Sequence, residues 1–232
     1  MTIPSNQPSN HTLHAFDAEL DKLHALLLDM TDLLVSQLEL SVQALENADV
    51  GYAQNAVALD IEIDRYELMI DAEVLEILAK FSPVANDLRS IISISKMVVE
   101  LEKIGDEFAS FAELVISGFD SKENPFNSPL QAEIIKISRH ILSALNKIRT
   151  AFQSEDTGLL YSILQADRAQ EIELHQNIQR QLRHTLQNDG NIGGAMASMQ
   201  MAKLLEFCGS QCRRIAEHMI LTIDRVDVRH QN

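Results

Sequence analysis

Four carboxylates of the 232-residue chain fall into two pairs at a spacing of four: Asp60 with Asp64, and Glu102 with Asp106. That spacing is one helical turn, so each pair sets two oxygen donors on one helix face. Glu67 and Asp71 extend the first row in steps of three and four, and Glu113 extends the second. Like charges four apart destabilise a helix by about 0.2–0.5 kcal/mol per pair. Gly105, inside the second pair, costs a mid-helix position about 1 kcal/mol relative to alanine. One acidic stripe is ordinary solvated surface, and one helical glycine often marks only close packing. Two acidic stripes on neighbouring helices of a bundle can instead share a cation, and glycine would let the helices or the ion approach. Hard oxygen donors suit magnesium, calcium, manganese or iron. The chain lacks the Cys and His cluster of a structural zinc site and the Glu-x-x-His motif of a ferritin-type di-iron site.

A related but incomplete set lies further along. "LEKIGDEFASFAE" at 101–113 aligns with "LEFCGSQCRRIAE" at 205–217, matching Leu101 with Leu205, Glu102 with Glu206, Gly105 with Gly209, and Glu113 with Glu217. "LDIEID" at 59–64 has a looser echo in "ADRAQE" at 166–171. The second copy therefore offers Asp167, Glu171 and Glu206, with Ser210 standing where Asp106 stands in the first. Weaker metal binding, or none, is expected there. His175 follows Glu171 by one turn, but a lone histidine on a polar helix is usually just exposed.

The elements that must position these groups are helices throughout. Leu20, Leu23, Leu27, Met30, Leu34 and Leu38 advance by threes and fours, as do Leu59, Ile63, Tyr66, Ile70, Val74 and Ile77. Ile91, Ile94, Val98, Leu101, Phe108 and Val115 form a third such row. Gly51 reads as a terminator of the first helix, the "FSP" run ends the second, and Asn86 or Asp87 is placed to cap the third. Three further helical patterns cover about 130–153, 157–187 and 195–226. The expected fold is all-α, two tandem three-helix bundles with six long helices related by an internal repeat. Its expected parts are a disordered tail at 1–12, a first unit at 13–117, a linker at 118–129 and a second unit at 130–226.

Composition narrows the function. Thirty-four Asp and Glu against nineteen Lys and Arg give a net charge of −15, which repels nucleic acid and anionic membrane surfaces. No segment approaches the roughly 20 apolar residues that span a bilayer, so a cytoplasmic protein without direct membrane insertion is expected. Cys208 and Cys212, one turn apart, read as reduced thiols packed in a helix.

"SPVANDLRSIISISK", "ELEKIGDEFA" and the repeated "LDIEID"-like segment resemble the PhoU family of bacterial phosphate-signalling regulators over about residues 12–226. The resemblance implies two Glu/Asp-x-x-x-Asp motifs per repeat that hold metal clusters. Those motifs fall on Asp60 with Asp64, Glu102 with Asp106, Asp167 with Glu171, and Glu206 with the divergent Ser210. It implies divalent or ferric ions as cofactors: iron, zinc, manganese or magnesium. It also implies a non-enzymatic negative regulator of the phosphate-starvation response, commonly a homodimer. Such a regulator works between the ATPase subunit of the phosphate ABC transporter and a sensor histidine kinase. The residues by themselves leave open a signalling adaptor, a metal-dependent hydrolase or redox enzyme on the same carboxylates, and a metal-free helical scaffold.

Overall fold

A computed structural model describes residues 10–120, 128–165 and 192–224, with single positions between 176 and 187. Helix α1 runs Asn10–Asn47, α2 Val50–Phe81, α3 Ala85–Asp120 and α4 Ser128–Ser154. The described part of α5 covers 157–165, and α6 runs Ile192–Ile223. The described residues contain no strand.

Helix ends differ from the expectation for local reasons. Gly51 does not terminate α1. It sits in the first turn of α2, where its N–H donates to Asp49 Oδ1 at 2.9 Å, so Asp49 caps the incoming helix. Asp156 repeats the device before α5, accepting from the Gly158 N–H at 2.9 Å. The second helix of each unit thus opens on the same Asp-x-Gly turn, a piece of the repeat that alignment of apolar rows does not reveal. Helix α2 closes with Ser82 in the left-handed region at φ 45°, its N–H donating to Leu78 O at 3.2 Å, just before Pro83. Asn86 and Asp87 lie inside α3 rather than ahead of it, Asp87 supplying negative charge to the first turn. Helix α3 also continues through Gly118 to Asp120, past the expected end at 117.

Helices α1, α2 and α3 pack on one another, α4 packs on α6, and the two units join along α3 with α6 and α1 with α4. The core is correspondingly continuous, running from Leu34, Ile63 and Phe108 to Ile148, Leu205 and Ile215. Polar ties cross the junction. Arg149 and Arg139 of α4 pair with Asp32 and Glu46 of α1, and Gln131 Nε2 donates to Leu45 O at 2.6 Å. On the other side Glu100 of α3, nearly buried, faces Arg214 of α6 at 3.5 Å and Lys103 at 3.3 Å. Cys208 and Cys212 are free and buried in α6, and burial, then Cys212 and Glu107, pushes the Cys208 thiol well above its usual range.

Candidate metal centre on the face of α2 and α3

Asp60 and Asp64 of α2 and Asp106 of α3 converge. One carboxylate oxygen from each lies within 4.8 Å of the others, Asp60 being half-buried and the other two exposed. Oxygen ligands of a cation stand roughly 2.0–2.6 Å from it, so pairs on one ion lie up to about 4–5 Å apart. The spacing therefore fits a shared ion. Asp60 Oδ1 is buried without a hydrogen-bond partner, and so are both amide atoms of the fully buried Gln37 on α1. Burial, then the charges of Asp64 and Asp106, raises the Asp60 carboxyl above its usual value, the nearby Gln37 amide opposing the rise. A half-buried carboxylate held beside two others is costly unless a cation or proton offsets the charge.

A proton can take that role at Glu102, beside the group of three. Glu102 is pushed up to about 7 by burial first, then by Asp106, Glu67 and Asp64, with a shared hydrogen bond to Asp106. Glu67 rises through burial and the charges of Asp71, Asp64 and Asp106. Glu102 is thus electrostatically part of the cluster although it lies outside the tight group of three. Glu67 belongs to the acidic row of α2 but to neither of the two proposed ligand pairs, and Gln37 lies outside the pattern altogether. A seven-residue step from Asp60 points to the first. A glutamine beside Leu38 on the apolar row of α1 is the signal for the second.

Gly105 explains how α3 comes so close. A Cβ built there would sit 3.0 Å from Ile63 Cγ2 and 3.4 Å from both Ile63 Cδ1 and Leu34 Cδ2. The missing side chain lets α3 press on the α2 residue next to Asp64 and on α1, which fixes the reach of Asp106 toward its partners.

In the second unit Glu206 is exposed on α6, and the Ser210 hydroxyl donates to Phe207 O at 2.7 Å within its own helix. Asp167, Glu171 and His175 lie outside the described residues. Among the described residues no helix is long and apolar enough to cross a membrane.

Comparison with known proteins agrees with this architecture. The family model for the PhoU domain matches twice, at residues 27–115 and 134–219. A phosphate-specific transport system accessory protein PhoU homolog of Pseudomonas aeruginosa is 32% identical over 228 residues, covering 98% of this chain and 93% of its own. The accessory protein PhoU of Escherichia coli is 25% identical over 222 residues, covering 96% and 90% respectively. The crystal structure of PhoU from Pseudomonas aeruginosa superposes with a TM-score of 0.85 at 32% identity, over 91% of this chain and 100% of that one. That of the phosphate transport system regulatory protein PhoU from Streptococcus pneumoniae shares the fold, with a TM-score of 0.81 at 23% identity over 92% and 99%. With the domain present once in each half and relatives spanning nearly the whole length, the chain belongs to the PhoU family.

Proposed function

We propose that this protein is an accessory regulator of phosphate transport and a negative modulator of the phosphate-starvation response. It acts in the cytoplasm as a homodimer, binding the phosphate ABC transporter ATPase, a sensor histidine kinase, or both. Its relatives' names support the phosphate role. In this reading a divalent or ferric ion (iron, zinc, manganese or magnesium) sits on Asp60, Asp64, Glu102 and Asp106, with a weaker site on Asp167, Glu171 and Glu206. The observation that carries the metal reading is the convergence of one carboxylate oxygen each from Asp60, Asp64 and Asp106 to within 4.8 Å of one another, Asp60 Oδ1 being buried without a hydrogen-bond partner. The ion supplies positive charge that offsets the carboxylates and ties α2 to α3.

The value of about 7 at Glu102 would also suit a general base, which is the one feature favouring a metal-dependent hydrolase. Phosphomonoester turnover that disappears in Asp64→Ala would establish that alternative. The test of the regulatory reading is co-purification from phosphate-replete cells. The transporter ATPase or the sensor kinase is expected with the wild-type chain, and recovery of neither would remove the partner assignment.

A further inference from the structure

Helix α2 carries two apolar rows. The inner one, Ile63, Ile70 and Ile77, is fully buried. The outer one, Ile61, Leu68 and Leu75, repeats every seven residues and is 74%, 69% and 67% exposed. Exposed alanines at 58, 72 and 79 fall between them, so that the outer face steps alternately by three and four along the helix. Only Arg65 interrupts this row, exposed and bridged to Glu62 at 3.0 Å.

Such alternation is the seam of a coiled coil, here about 33 Å long at 1.5 Å per residue. Among the described elements α2 packs on α1 and α3, and neither covers the outer row. An apolar strip broken only by Arg65 in so acidic a protein marks a contact surface, and its period selects a helix as the occupant. The alanines leave shallow positions into which a partner's larger side chains can settle.

Charge decides which helix. Residues 58–79 hold seven carboxylates and one arginine. Glu62 and Glu76 border one edge of the seam, and Asp64 and Asp71 the other. A second copy of the chain would set an identical acidic border against this one, and like charges across a seam disfavour pairing. We propose that the outer face of α2 docks an amphipathic helix of a partner protein. That helix carries an apolar row of seven-residue period, basic residues along both borders and one acidic residue opposite Arg65. This inference rests on the regulatory reading only for the existence of a protein partner, and it requires no cation.

The test uses the full chain in EDTA and a synthetic helical peptide with a Leu/Ile heptad row, lysines at the border positions and one glutamate. Saturable one-to-one binding is expected by fluorescence anisotropy. The triple variant Ile61→Gln, Leu68→Gln, Leu75→Gln is expected to weaken it by about tenfold or more. That variant keeps every charge and alters only exposed side chains, so its melting temperature should hold. Undiminished binding to it would reduce the effect to general charge attraction and overturn the proposal. Equal binding of a peptide with glutamate borders would overturn it too, as would conversion of a wild-type dimer to monomer by the triple variant. In cells, a photo-reactive side chain at position 68 is expected to cross-link to a partner segment with an apolar heptad row and basic borders, read by mass spectrometry. A cross-link to the same chain, or to a segment without that pattern, defeats the proposal. If the ATPase or kinase still co-purifies with the triple variant, the regulatory reading survives while the seam assignment fails.

Discussion

Gly105 of α3 presses its bare backbone on Ile63 of α2, so closely that a methyl group there would stand 3.0 Å from Ile63 Cγ2. Gly105→Ala sets two effects against each other. Helix propensity gains about 1 kcal/mol, while overpacking typically costs about 1–3 kcal/mol. The expected net is a loss of up to about 2 kcal/mol in denaturant unfolding. Cation affinity should fall as well, because Asp106 is carried away from Asp60 and Asp64. A stabilised variant with unchanged affinity would deny the glycine any spacing role.

Cation binding should stabilise the fold. At about 100 times the dissociation constant a ligand specific to the folded state adds about 2.7 kcal/mol, or about 5–10 °C in a chain of this length. Calorimetry of EDTA-treated protein titrated with manganese, iron, zinc or magnesium checks this. Asp60→Ala, Asp64→Ala and Asp106→Ala should each remove most of the rise, and a rise left intact in all three would place the ion elsewhere.

The cation-free protein should lose stability as pH climbs. Glu102 holds its proton up to about 7 when folded, against an ordinary 4.5 for a glutamate. Between those values the folded chain binds more protons than the unfolded one, so stability falls with rising pH across that window. Asp60, Glu67 and Glu107, also raised, act in the same direction. In EDTA the melting temperature is expected to be higher at about pH 5.5 than at about pH 7.5, with Glu102→Gln flattening the slope. Saturating cation should oppose the trend, since it binds the deprotonated groups. A slope that Glu102→Gln leaves unchanged would assign it to other groups.

The twin Asp-x-Gly turns predict matched cap losses. Asp49→Ala and Asp156→Ala remove the acceptors for the Gly51 and Gly158 N–H groups. Each should cost about 1 kcal/mol in equilibrium unfolding, and the corresponding Asn variants much less. A neutral Asp49→Ala would mean that solvent serves that N–H equally well.

The helices and the first carboxylate set were legible because both depend on period. A buried row at threes and fours and an acidic pair at four are visible without knowing what lies opposite. What escaped depends on a neighbour. Gly51 has the residue type of a stop, but Asp49 two positions earlier makes it part of a start. Glu102 satisfies the spacing yet lies outside the tight group, because of the α3 pair only Asp106 comes within 4.8 Å of both Asp60 and Asp64. Gln37 was hidden on α1, which carries no part of the motif. The outward row of Ile61, Leu68 and Leu75 merges in sequence with the inward row of Ile63, Ile70 and Ile77, and only burial separates them. The junction of α3 with α6 has no one-dimensional signature at all.

That junction has a mechanical corollary. Helix α3, 36 residues and so about 54 Å long, carries Asp106 on one flank and leans its Glu100 toward Arg214 of α6 on another. It is the keel common to both halves. A tilt of this rod imposed where the carboxylates meet is therefore felt directly by the opposite half, through the side chains that α3 packs against α6.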